Sequence, residues 1–474
     1  MSTSISFARG APCPEALSGD LIGEAANAAL AADATRILSY GTGNGYPPLR
    51  ELLGKKHGVA ADRVFITNGS LQGFVFMLES MFGPGDILGV EAPTYDRALL
   101  QAKLHGIEVM TVPVEDDGLD VDALATACAA GRVPKVLYTI PNFQNPSGAT
   151  VSLDKRNALV ALAEKHDFLI LEDDPYGLLR FEGEHLPSLY ALDGGGRVMR
   201  AGTVSKILGA GFRLGWLCAP KEMIPAFQGF LFGGGVNPFA SRVATYFLRD
   251  NLAPHVALLV NVYRAKRDAM LRGLWEKLRD TDVEISRPEG GFFIWIKLPT
   301  GTDTAKLYDG AVRARVQYTA GTSFFPNGGG ERHIRLAFSF ESPERCYEGA
   351  GLIAQAILDA GGTIAKVAPN WRIVCLGEGM DAFGVVSKHK HCRIEKNDFK
   401  AIAVITSEGL SIPYLPSRPA CGGYSGRMRV DGKSIGKLPL KAKIAAMSRG
   451  VTFSRPYQTQ WSKCTKLTEF TGLY

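Results

Sequence analysis

Between residues 60 and 220, short β-rich runs alternate with longer amphipathic stretches. The runs are "RVFITN" (63–68), "DILGVEA" (86–92), "IEVMTVPV" (107–114), "KVLYTI" (135–140), "FLILE" (168–172), "RVMRAG" (197–202) and "LGWLCA" (214–219). This rhythm leaves few solutions. Strands separated by helices pair mostly in parallel, and helices must then cover both faces of the sheet. "FLILE" has no polar alternation, as expected for a strand buried on both sides. The expectation is a seven-stranded, mostly parallel sheet between helices, in an α/β large domain.

The rhythm changes after residue 220. Residues 221–280 have a helical pattern and no strand candidate. "DVEISRPEGGFFIWIKLP" (282–299) predicts two strands around a Gly-containing connection. "TDTAKLYDGAVRA" predicts a helix, and "RHIRLAFSF" (332–340) another strand. Ser342-Pro343 opens a final helix with proline at its favoured first turn. This is a smaller α+β domain ending near residue 362. The expected organisation is an N-terminal segment (1–39), a large domain (40–250), a small domain with a linker helix (251–362) and an extension of unknown structure (363–474).

Charge sets the extension apart. Residues 366–474 hold 18 Lys and Arg against 7 Asp and Glu, while the rest of the chain holds 35 against 40. The mildly acidic body gives no reason to expect nucleic-acid binding. The basic extension permits weak contact with acidic partners, and a poorly ordered tail is the expectation. No apolar run is long enough to span a bilayer, and the N-terminus lacks the pattern of a signal peptide. Eight scattered cysteines without a CxxC pair fit free thiols in a reducing cytoplasm.

Four polar motifs fall at predicted strand ends, the edge where parallel α/β sheets bind ligands. "TNGSLQG" (67–73) joins a strand to a helix N-terminus, a cradle for an anion such as phosphate. "PNFQNPSG" (141–148) is a polar turn. "EDDPYG" (172–177) places two carboxylates and a tyrosine at a strand end, and "GTVSK" (202–206) ends in a lysine. Pyridoxal 5′-phosphate (PLP) calls for this combination. Its aldehyde needs a lysine for a Schiff base, its ring nitrogen a carboxylate, and its phosphate a cradle. Arg213, seven residues after Lys206, suits the phosphate. Its charge would also lower the lysine pKa.

These motifs, in order, resemble those of class I/II aminotransferases of PLP fold type I. They are most similar to the branch of 2-aminoadipate, kynurenine and aromatic aminotransferases, which also supplies the effector domain of some bacterial transcription regulators. The likeness runs over residues 5–362 through "FARGAP" (7–12), "YGTGNGYPPLRELL" (40–53), "EAPTYDRAL" (91–99), "YTIPNFQNPSG" (138–148), "SKILGAGFRLGW" (205–216), "PEGGFFIW" (288–295) and "RHIRLAF" (332–338). It implies that Lys206 is the Schiff-base lysine and proton shuttle. Asp173 would pair with the ring nitrogen. Tyr176 and Asn145 would bond the phenolic oxygen, and Tyr95 would stack on the ring. Ser70, Thr203 and Arg213, with the backbone of Gly69, Ser70, Leu71 and Gln72, would hold the phosphate. Tyr40 would reach the neighbouring subunit's cofactor in a homodimer. Arg335 would clamp the substrate carboxylate, with Asn145 assisting. Gly10 would let the backbone approach the substrate. Leu71 departs from the branch, which usually has glutamine there.

The resemblance implies a cytoplasmic transaminase moving an amino group from an L-amino acid to a 2-oxo acid such as 2-oxoglutarate. Elimination or decarboxylation on the same scaffold stays open, because PLP-holding residues do not choose which Cα bond breaks. So does a regulatory module that binds PLP without turnover, although the motifs begin by residue 7 and leave no room for an N-terminal DNA-binding domain. No metal is expected. "HKHC" (389–392) with Cys375 or Cys421 fits no common zinc spacing. Gly432-Lys433-Ser434 lacks the P-loop glycine at the required distance.

Overall fold

The computed structural model describes residues 4–362, apart from 42, 195 and 232–234, together with the backbone of seven strands between 372 and 453. Residues Met1–Ile364 form one compact unit and Ala365–Tyr474 a second. The first unit opens with β1 (Ile5–Ser6), α1 (Gly19–Ile37) and α2 (Pro47–His57). It continues through β2 (Val64–Thr67), α3 (Ser70–Met81), β3 (Ile87–Ala92), α4 (Asp96–Leu104), β4 (Glu108–Glu115) and β5 (Gly118–Leu119). Then come α5 (Val121–Ala129), β6 (Val136–Thr139), α6 (Leu153–His166), β7 (Leu169–Asp173), α7 (Leu189–Asp193), β8 (Val198–Thr203) and β9 (Gly215–Cys218).

These strands form one sheet in the order β2-β9-β8-β7-β6-β3-β4-β5. Its five central strands are parallel, while β9 runs antiparallel to both its neighbours. All seven expected strands are present, so the expected seven-stranded sheet needs one correction. The eighth strand, β5, is a two-residue edge antiparallel to β4. Two residues carry no periodicity, and the Asp116-Asp117-Gly118 turn hides the pairing. Gly118 sits at φ +103, a conformation that glycine reaches without a steric penalty. Apolar side chains cover both faces. One face packs Val64, Ile66, Leu137 and Ile170 against α1, α2, α5 and α6. The other packs Phe65, Tyr138 and Leu171 against α3 and α4.

Helices α8 (Ile224–Gln228), α9 (Pro238–Asp250) and α10 (Leu252–Leu278) lead to the small antiparallel sheet. Its strands are β10 (Glu284–Ile285), β11 (Phe293–Lys297), β13 (Thr319–Ala320) and β14 (His333–Ala337), in the order β10-β11-β14-β13. Between β11 and β13 lie α11 (Thr304–Arg313) and β12 (Val316–Gln317), and α12 (Pro343–Asp359) closes the unit. The Ser342 side chain accepts from Arg345 N, capping α12 as its Ser-Pro start predicts. β12 pairs in parallel with β1 and so fastens the N-terminal segment to the small domain. The strand pieces β1, β12 and β13, like β5 and β10, are two residues long, and β1, β12 and β13 had no flanking motif to reveal them.

In the extension, the described backbone forms a four-stranded antiparallel sheet within 372–414 and a three-stranded one within 428–453. For those stretches this replaces the expected unstructured tail. "RIVCLG" and "FKAIAVIT" are β-branched runs that the charge count passed over. The histidines and cysteine of 389–392, and Cys421, lie outside the described residues. Among the described residues no helix is long and apolar enough to cross a membrane.

Helices α10 and α12 cross at Gly273, where an added Cβ would lie 2.4 Å from the Tyr347 carbonyl oxygen. Backbone cannot yield there as a side chain can. Gly273→Ala is therefore expected to lower unfolding stability by about 1–3 kcal/mol, read from urea melts. An unchanged midpoint would show that the helices have room to part.

Candidate active site

Five strand ends converge on one edge of the large sheet, and β14 and the N-terminal segment close over it. At the end of β2, Thr67 Oγ1 donates to Gly69 O at 2.9 Å. Gly69 takes φ +85 and releases the first amides of α3. The Gln72 side chain turns back to accept from Asn68 N at 2.7 Å. Arg213 Nη2 donates to Asn68 O at 3.2 Å, and a Cβ on Gly215 would lie 2.6 Å from Ser70 N. Thr203 Oγ1 donates to Leu214 O at 2.9 Å. The backbone of Gly69 and Ser70, Thr203 and Arg213 is thus brought to one place, a helix N-terminus with an arginine beside it. Leu71 offers only its amide.

Asp173 ends β7 and is 7% exposed. Its Oδ2 accepts from Tyr138 OH at 2.9 Å, while its Oδ1 is buried without a partner. Burial pushes this carboxyl up to about 6, against the Tyr138 hydrogen bond that favours ionisation. Lys206 follows β8, and its Nζ donates to Gly10 O at 2.9 Å. Burial pulls the Lys206 ammonium down to about 8, with the Arg335 charge the next cause and Arg213 a lesser one. The lowered value was expected, but its cause needs correcting. Loss of water dominates, and the guanidinium from the small domain outweighs the neighbour in sequence.

Asn145 and Arg335 meet directly: Arg335 Nη1 donates to Asn145 Oδ1 at 2.8 Å. Arg335 Nη2 donates to Ala8 O at 2.6 Å and Thr319 Oγ1 at 3.2 Å, leaving a buried Nε without a partner. The guanidinium lies between the rings of Phe293 and Phe324, 4.4 and 4.8 Å from their centroids. Burial lowers Arg335 to about 10, opposed by the nearby Tyr176, Asp96 and Tyr95. Tyr176 is buried against Phe292 and Phe293, and burial raises its phenol well above the ordinary range. Burial likewise pushes Tyr95 up to about 12. A Cβ on Gly10 would lie 2.5 Å from Phe293 Cζ, so only glycine lets this carbonyl reach Lys206.

Tyr40 is not gathered with these residues within one chain. It is 89% exposed and lines a separate cavity of about 500 Å³ with Arg36, Tyr46 and Arg242.

Sequence reasoning missed the residues that hold the site. Glu91, at the end of β3, accepts from Thr139 Oγ1 at 2.6 Å and from Gln144 Nε2 at 3.0 Å. Gln144 Nε2 also donates to Pro93 O at 2.6 Å, which ties the loop before Tyr95 to the turn bearing Asn145. Burial pushes Glu91 up to about 7, against the bonds from Thr139, Gln144 and Ile140. A glutamate closing an otherwise apolar strand was the available signal. Tyr138 gave less, because a tyrosine in "KVLYTI" reads as an ordinary strand former.

A mostly parallel sheet that buries a lysine, a carboxylate with one free oxygen and an anion cradle at one edge defines a class of protein, the fold type I PLP enzymes. The model of aminotransferase class I and II matches residues 4–348, and the chain belongs to that family. It is 37% identical over 369 residues to aromatic-amino-acid aminotransferase 1 of Thermococcus litoralis, covering 75% of this chain and 88% of the relative. It is 32% identical over 358 residues to 2-aminoadipate transaminase of Thermus thermophilus, covering 74% and 90%. The solved multiple substrate aminotransferase of Thermococcus profundus superposes with a TM-score of 0.72 at 35% identity, over 76% of this chain and 92% of that one. The solved α-aminoadipate aminotransferase of Thermus thermophilus, complexed with N-(5′-phosphopyridoxyl)-L-leucine, gives 0.71 at 32% identity, over 75% and 92%. This chain is a transaminase, and its cofactor is PLP.

The residues present fit that cofactor. Asp173 keeps an unpartnered oxygen, Lys206 has a depressed pKa, and the start of α3 offers free amides. In protein freed of cofactor, reductive methylation of Lys206 should rise with pH and level off above about 8, while exposed lysines keep accelerating towards roughly 10.4. Peptide mass spectrometry reads both. A Lys206 profile like that of exposed lysines would contradict the buried environment.

Proposed function

We propose that the enzyme moves an amino group from an L-amino acid to a 2-oxo acid, with 2-oxoglutarate as acceptor, through a covalent bond at Lys206. The observation that carries this reading is the meeting of three groups: the half-buried Lys206 side chain and, both buried, Asp173 with Oδ1 unpartnered and Arg335 with Nε unpartnered. Unpaired polar atoms are costly in a dry site unless a ligand completes them.

Each residue then has a task. The amides at the start of α3, with Ser70, Thr203 and Arg213, would hold the phosphate, while the Gln72 amide already donates to Gly69 O at 3.2 Å. Asp173 would hold the ring nitrogen, Tyr95 would lie against the ring, and Asn145 and Tyr176 would take the phenolic oxygen. Arg335, aided by Asn145, grips the substrate α-carboxylate, exchanging the acceptor Ala8 O for it. Gly10 gives the backbone room beside the amine. When bound, the cofactor supplies the sink for electrons released at Cα. Near pH 8 the free Lys206 amine is close to half neutral, which suits it to take the Cα proton and return it.

Tyr40 and Leu38, both exposed at the end of α1, support a homodimer in which Tyr40 serves the partner's site. Free thiols at Cys13, Cys128, Cys218 and Cys346 support a cytoplasmic location.

Two variants test the reading with a panel of amino donors. Lys206→Ala should cut turnover by at least about 10³-fold, the scale of a lost proton-transfer group. Retained turnover would remove Lys206 from the mechanism. Arg335→Lys should raise KM for the amino acid about 10–100-fold with a smaller change in kcat, because an ammonium cannot make the planar two-pronged contact. An unchanged KM would place the carboxylate elsewhere.

A further inference from the structure

We propose that Tyr138 is a positioning residue of the reaction, whose phenol binds one oxygen of Asp173 and leaves the other ionised and free for the ring nitrogen. This rests on the reading that Asp173 takes that nitrogen.

The register makes the contact. β6 and β7 are adjacent and parallel, with Tyr138 beside Leu171. Asp173 lies two residues further along on the same face, as the strand period requires. A tyrosine is long enough to reach it, and the hydrogen bond is 2.9 Å. The ring is fixed edge-on to Phe74 from α3, with centroids 5.0 Å apart. Tyr138 is 1% exposed, so solvent has little access to replace the phenol. Phenylalanine would fill the same space against Phe74. Only the hydroxyl distinguishes the two residues, and it points at the carboxylate.

The charges around Asp173 show why a neutral donor matters. Asp174 opposes its ionisation, while Lys206 and, as a lesser cause than Tyr138, the Ser70 hydroxyl support it. Glu91, Tyr95 and Tyr176 also face it, and each would add negative charge if ionised. Lys206 helps only while its amine is charged, a state that the chemistry must give up. The Tyr138 phenol is held far above its ordinary pKa by burial, so it remains a donor across the working range. It supports the carboxylate whatever Lys206 is doing.

The test compares two cofactors in apoprotein: PLP, and 1-deazapyridoxal 5′-phosphate, which has carbon in place of the ring nitrogen. Tyr138→Phe should weaken PLP binding about 10-fold, the scale of a lost hydrogen bond to a charged group, and leave the deaza analogue within about twofold. The ring-nitrogen titration of bound ¹⁵N-labelled PLP should fall by about one pH unit or more. In an Asp173→Asn background the same change should have no further effect, which separates the role from any loss of folding. Equal weakening of both cofactors, or an unmoved nitrogen titration, would reduce Tyr138 to packing. If wild-type protein does not distinguish the two cofactors, the Asp173 reading fails and the proposal falls with it.

Discussion

A hydrogen bond of 3.0 Å from Asn142 Nδ2 to Asp174 Oδ1 joins the turn after β6 to the turn after β7. Asn145 rides on the first turn, and Asp173 and Tyr176 on the second. Buried groups lock both partners. Arg156 donates to Asn142 Oδ1 at 2.7 Å and to the Pro141, Val151 and Pro187 carbonyls. Arg200 bridges Asp174 and Glu172 at 2.5 and 2.9 Å, and Gly177 N donates to Asp174 Oδ1. Burying such charges is costly unless the network is satisfied throughout. Here the bonds of Asn142, Asp174 and Arg156 are made to one another, to the turns themselves, to Arg200 on β8 and to the Pro187 carbonyl. The site's geometry depends on this clamp, because parallel strands fix where turns begin but not where their tips lie.

The clamp holds the reactive groups away from water. Burial moves Lys206, Asp173, Glu91 and Arg335 each towards its neutral form. Arg335 and Lys206 repel one another, while Asp173 supports the Lys206 charge. The N-terminal segment completes the balance with backbone rather than side chains. Carbonyls of Ala8 and Gly10 accept from Arg335 and Lys206, and Ala11 O accepts from Ser339. Glu15, paired with the buried Lys266 at 2.5 Å, fastens that segment to α10. Carbonyl dipoles satisfy the cations without neutralising them, so an anionic substrate group still finds positive charge.

Much of this was legible before the structure. The seven main strands followed from β-rich runs separated by helical patterns. Lys206, Asp173 and Asn145 stood out as polar residues at strand ends, where burial makes them conspicuous. Arg335 followed from its motif in "RHIRLAF", although its stacking between Phe293 and Phe324 did not. Glu91, Gln144 and Tyr138 escaped because their partners lie on other strands, 35 or more residues away. Two-residue strands such as β5 and β12 escaped because two residues have no period. The depressed Lys206 pKa was legible, but its main causes were not, since burial and the approach of Arg335 are not local properties.

By itself the amino-acid sequence determined which side chains stand at the ends of which strands, because periodicity and turn residues act over a few positions. From that came the α/β fold, the parts of a PLP site and the family. Tertiary structure alone decided how those parts act together. It set which oxygen of Asp173 is left free, how far burial shifts each charge, and that Gly10 rather than a side chain meets Lys206. Those outcomes depend on distances across strands and domains and on the exclusion of water, and both are set only when the whole chain has packed.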